Sequence, residues 1–216
     1  MTAAKKIWTP DELALASVLP AVSCDETRAH LCKPFGKQMR GRGYVVGTDG
    51  HRLHAVACDG WRNWLRDGQP FPPPPAEEAI PWESPWIGEF HSSDLDDLRG
   101  VFSTRWEVTL QCDEHGGQRL FSSVAKGSGK KAAKAYPFGR DGVPVKLFKL
   151  EQLTFSFGIG LGYLLDAVDC VTGGGLVHVW SKHGPKYPGL DPIAFTRTSK
   201  PLHEQERIAV VMPRRV

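Results

Sequence analysis

The stretch YVVGTDGHRLHAV, residues 44–56, decides how this chain is read. Two apolar runs flank an insert of Thr48, Asp49, Gly50, His51 and Arg52, every one polar or glycine. The apolar runs have the length and composition of strands. Asp-Gly is a strong turn dipeptide, and the Thr48 hydroxyl is placed to cap the turn. On composition alone the insert is a hairpin turn. The rest of the chain must say whether it is also a site.

Working outward, three stretches have helical periodicity. In WTPDELALASVLPAVS (8–23), Thr9 is the expected N-cap, Pro10 takes the first helical position, and Glu12 completes a capping box. In HSSDLDDLRGVF (91–102), Ser92 or Ser93 caps, and Leu95, Leu98, Val101 and Phe102 point inward. In GIGLGYLLDAVDCVTGGG (158–175), Leu161, Leu164, Leu165 and Val168 share a face, and the glycines end the helix. Strands are expected after each helix: RAHLCKPF (28–35), GYVVGT and RLHAVAC; then RWEVTLQC and QRLFSSVA; then LVHVWSK, PIAFTR and RIAVVMP. KKIW (5–8), WIGEF (86–90) and LTFSFG (153–158) read as the strands that precede them. The pattern is three copies of a strand–helix–strand–strand–strand unit. It predicts an α+β fold with helices on one face of antiparallel sheets. Between the first two units a proline-rich connection, 59–86, contains four consecutive prolines and reads as a semi-rigid surface segment.

Bulk properties narrow the function. At 216 residues, 41% hydrophobic and 24% charged, the chain is an ordinary globular protein, and a net charge of +3 does not by itself mark a nucleic-acid binder. No run of about 18 apolar residues is available to span a membrane. The N-terminal residues lack a secretory core, and the cysteines at 24, 32, 58, 112 and 170 show no C-x-x-C spacing. A reduced cytoplasmic protein is the expectation. GSGKK fails as a phosphate-binding loop because Val124 and Lys131 stand where glycine and Ser/Thr are required. His51 and His54, three apart on a strand, fall on opposite faces and are not a metal pair. No nucleophile, acid–base or metal constellation can be assembled, so no enzyme, metal or cofactor is expected.

VVGTDGHRLHAV resembles the TDGHRL signature of the bacterial DNA polymerase III β subunit, the sliding clamp, and the ending IAVVMPRRV (208–216) is similar to the clamp's terminus. GLGYLLDAVDCV (160–171), DETRAHLCK (25–33) and AYPFGRDGVP (135–144) resemble further clamp segments in the same order. The resemblance implies a DNA-clamp-like fold, with residues 1–144 matching the middle clamp domain and 145–216 half of the last. It implies a peptide-binding pocket lined by Leu31, Thr48, Gly50, His51, Arg52, Leu53, Pro144, Val210, Met212, Pro213, Arg214, Arg215 and Val216. Such a pocket takes a short motif, a glutamine with bulky apolar residues, from DNA polymerases and other replication proteins. The implied function is that of a processivity factor: a homo-oligomeric ring around double-stranded DNA without sequence specificity, placed by a clamp loader.

Two features depart from that family. Three units are present where the clamp subunit has six, so a ring of twelve would need four copies of this chain. The helices carry Asp11, Glu12, Asp94, Asp96, Asp97, Asp166 and Asp169 against Arg99 alone, although clamp helices that face DNA are basic. Candidate phosphate contacts lie instead in loops: Lys37, Arg40 and Arg42, then Lys126, Lys130, Lys131 and Lys134. The alternative is therefore a non-encircling adaptor or inhibitor that competes for clamp-binding partners.

Overall fold

The computed structural model describes residues 8–64, 76–96, 107–113, 120–126, 153–181 and 191–213. Helix α1 (Pro10–Val18) starts as its sequence predicts. The Glu12 amide donates to Thr9 Oγ1 at 3.2 Å, and the Thr9 amide donates to Glu12 Oε2 at 2.8 Å. Three strands follow, β1 (Phe35–Met39), β2 (Arg42–Thr48) and β3 (Arg52–Ala57). The strand expected at 28–35 is instead a 3-10 helix, Glu26–Leu31. Asp25 Oδ1 accepts hydrogen bonds from both the amide and the hydroxyl of Thr27, and this local bonding diverts the backbone from a ladder.

A short helix, α2 (Ala76–Ala79), leads into β4 (Trp86–His91), and β5 (Glu107–Asp113) and β6 (Leu120–Lys126) complete the second unit's strands. The third unit is β7 (Leu153–Gly160), α3 (Leu161–Val171), β8 (Leu176–Ser181), β9 (Ile193–Thr196) and β10 (Arg207–Val211). Seven of the eleven α3 residues are buried, as its apolar run predicts. Of the second expected helix, a 3-10 turn Ser92–Leu95 is described, and the remainder lies outside the described residues.

Two antiparallel sheets result, in the orders β1-β2-β3-β10-β9-β8-β4 and β6-β5-β7. The second and third units exchange their leading strands: β4 pairs with β8, and β7 pairs with β5. The first unit joins edge-on through β3 and β10, with Leu53 opposite Val210. The division expected after residue 144 lies outside the described residues.

Both faces of the large sheet are covered. Helices α1 and α3 pack on one face over Val45, Val56, Val177, Val179, Phe195 and Ala209. The approach of α1 is so close that a Cβ on Gly47 would lie 2.3 Å from the Val18 carbonyl oxygen, so glycine is required there. The opposite face buries Tyr44, Val46, Leu53, Ala55, Ile208 and Val210 beneath Ala76, Ile80 and Leu202. Among the described residues no helix is long and apolar enough to cross a membrane.

Candidate functional site

The insert of residues 48–52 is a tightly bonded turn. Thr48 Oγ1 donates to the Arg52 carbonyl at 2.7 Å and accepts from the Gly50 amide at 3.1 Å. Asp49 Oδ1 accepts from the amides of His51 (2.8 Å) and Arg52 (3.0 Å). Gly50 sits at φ 89°, the left-handed region that favours glycine. From outside, Arg28 Nη1 donates to the Asp49 carbonyl at 3.2 Å. The chain beyond β10 is stitched to this turn: the Met212 amide donates to the His51 carbonyl at 2.8 Å. That bond brings the C-terminal segment beside the insert.

Between them lies a cleft of about 220 Å³, lined by Thr48, Gly50, His51, Arg52, Leu53, Val210 and Met212 from the expected set. Ala76, Ala79 and Pro192 complete the lining. Drug-sized pockets run from roughly 300 to 1,000 Å³, so this volume suits one or two bulky side chains rather than a small molecule. Leu53 and Val210 are each 3% exposed and directly opposed across β3 and β10, which supplies a rigid apolar floor. The Thr48 hydroxyl is spent within the turn, so its methyl group is what it can offer an occupant.

The structure departs from the sequence reading at several of these residues. Arg52 lines the cleft, but its guanidinium is engaged elsewhere. It lies 3.1 Å from Asp49, bonds Asp166 of α3, and stacks 4.7 Å from the Tyr163 ring. Leu31 is buried behind the turn, its Cδ1 3.8 Å from where a Gly50 Cβ would stand, and is not in the lining. Pro213 is buried outside the lining, and Pro144, Arg214, Arg215 and Val216 lie outside the described residues. Ala76, Ala79 and Pro192 were missed because small apolar residues carry no chemical signal. Only the packing of α2 across the sheet places the two alanines here.

Of the cations expected to meet phosphate, two arginines bond groups on the protein. Arg40 bonds Glu83 at 3.2 Å, and Arg42 donates to the Glu204 and Gln205 carbonyls at 3.3 Å each. Lys37 lies on β1; the Lys126 side chain and Lys130, Lys131 and Lys134 fall outside the described residues. His54 points away from the cleft, as alternation along a strand requires, with Nδ1 3.2 Å from the Ser17 carbonyl of α1. Burial pushes its pKa down to about 4, so the ring is neutral at neutral pH. Among the described residues no group of three or more His, Cys, Asp or Glu could hold a metal ion.

Solved structures supply the comparison for this arrangement. A Caulobacter crescentus β sliding clamp superposes with a TM-score of 0.61 at 15% identity, over 100% of this chain and 69% of its own. The β subunit of the Streptococcus pyogenes DNA polymerase gives 0.59 at 12% identity, over 94% and 63%. The fold is that of the bacterial sliding clamps. The Bacillus subtilis clamp agrees, with 0.56 at 15% identity over 95% and 63%. The chain thus spans 63% to 69% of the length of these clamps. No protein-family model matches the sequence, and no curated protein matches it.

Proposed function

We propose that this clamp-fold chain is a sliding-clamp-like processivity factor that captures the clamp-binding motif of a DNA polymerase or another replication protein. The observation that carries the reading is the apolar cleft at the junction of β3 and β10, walled by the 48–53 insert and Met212. Bulky apolar side chains of the motif would fill it, and His51 would orient the peptide. The partners are a polymerase or other motif-bearing proteins, a clamp loader, and double-stranded DNA encircled by a homo-oligomer.

The test is binding of a labelled peptide containing a glutamine and bulky apolar residues. Met212→Ala should weaken it by about 1 kcal/mol or more, roughly fivefold, as for a residue that anchors a pocket. Unchanged affinity would remove the site assignment.

A second reading, an adaptor or inhibitor that uses the cleft without encircling DNA, is favoured by one observation: α1 and α3 contain no Lys or Arg. Molar mass by light scattering, with retention on closed circular DNA, separates the two. A stable tetramer released when the circle is linearised supports the ring. A persistent monomer with no topological retention supports the adaptor.

A further inference from the structure

Pro192 forms one wall of the cleft. That residue is also a wall of a second groove, of about 520 Å³, with a different chemistry. Four carboxylates line it, Glu77, Glu78, Glu83 and Asp191, against one cation, Arg40. The groove also holds an aromatic surface in fixed orientation, because Trp82 Nε1 donates to the Glu77 carbonyl at 2.8 Å.

We infer that a peptide seated in the cleft continues past Pro192 and places a lysine or arginine in this groove. The inference rests on the reading of the cleft as a peptide site. Two observations beyond the carboxylates support it. Arg40 already shows that the surface accepts a guanidinium: it lies 5.7 Å from the centroid of the Trp82 ring and 3.2 Å from Glu83. It is delivered by a two-residue β1–β2 turn in which Arg40 and Gly41 both take positive φ, 48° and 82°, as a type I′ hairpin requires. The second is Ser84, which lines the groove at 7% exposure and whose Oγ has no hydrogen-bond partner. A buried hydroxyl left unpaired is costly, and a peptide carbonyl or a cationic N–H entering the groove satisfies it. Carboxylates, an indole face and a free hydroxyl together recognise a basic side chain.

The experiment uses fluorescence anisotropy on the full chain with labelled motif peptides. Each carries the glutamine and bulky apolar anchors, with flanks of either lysine and arginine or glutamine, at one end or the other. A basic flank at one end should tighten binding about fivefold at low salt, for two weak charge contacts of ordinary size. The gain should be lost in a Glu77→Gln/Glu78→Gln double variant. Equal binding of basic and neutral flanks, with Met212→Ala still weakening both, overturns the groove and leaves the cleft standing. A gain that persists in the double variant assigns the attraction to another surface and also overturns it. No binding of any peptide overturns the cleft reading and this inference with it.

Discussion

Along β3, alternate side chains serve two surfaces that treat charge in opposite ways. Leu53 and Ala55 face the side of the sheet that holds the cleft, where the lining is almost wholly apolar. Arg52, His54 and Val56 face the helices. There the cations are consumed internally: Arg52 by Asp49, Asp166 and Tyr163, and Arg207 by Ser17 Oγ and the Cys170 carbonyl. A clamp needs both surfaces, one for peptides and one for phosphates. In this chain the cleft proposed for peptides is lined mostly by apolar groups. The second, over α1 and α3, presents Leu13, Ala16 and Asp169 to solvent and no cation of its own. Among the described residues, α1 and α3 therefore supply no lysine or arginine for phosphates.

The contrast is sharpest where the cleft can be blocked without touching α1 or α3. Ala79 is half-buried in the lining, and an indole in its place would occupy most of about 220 Å³. Ala79→Trp should lower motif-peptide affinity about a hundredfold, close to 2.7 kcal/mol, with the thermal midpoint little changed. Wild-type affinity in that variant would separate peptide binding from the cleft altogether.

The helix side is better probed through stability, at His54. Its ring is buried against α1, with Nε2 lacking any hydrogen-bond partner, and its pKa falls to about 4 chiefly through burial. Arg52 lowers it further, while the Ser17 carbonyl and Asp49 oppose the shift. The unfolded chain takes up this proton near pH 6.5, and the folded chain does so only near 4. Between those values the unfolded state binds more protons, so stability is full above pH 6.5 and falls as the solution is acidified. The loss should approach about 1.4 kcal/mol over the single unit from pH 6 to 5. Denaturant midpoints across this range should show a flatter slope in His54→Gln than in the parent chain. Equal slopes would place the titration elsewhere.

How much of this was legible in the sequence depends on the range of the interaction. The capping box of Thr9 and Glu12 and the Asp49-Gly50 turn are local, and their residue types announce them. The α3 helix was legible because its apolar residues repeat at helical spacing. The cleft was partly legible, since Thr48, His51 and Met212 sit in recognisable strings. Ala76, Ala79 and Pro192 were not, because they reach the cleft only through the strand order β3-β10-β9 and the route of residues 76–86 across the sheet. The fate of Arg52 was hidden for the same reason: Asp166 lies 114 residues away. Composition records that an arginine is present, and only the fold shows what has already neutralised it.

The smallest effect tests whether the helix face ever meets a duplex. Nonspecific affinity for DNA falls with salt by a slope of about 0.9 for each phosphate neutralised. Leu13 and Ala16 are exposed on α1, three residues apart and on one face of the helix. If α1 lines a channel around DNA, lysines at both positions would each find a phosphate. A Leu13→Lys/Ala16→Lys variant should then steepen the dependence of log affinity on log salt by up to about 1.8. The gain at a single salt concentration would be modest, because exposed charges are screened within about 10 Å at 0.1 M. An unchanged slope would mean that α1 does not approach the phosphates. The helix face would then be a protein surface, and the chain a clamp fold that keeps the peptide cleft without the DNA channel.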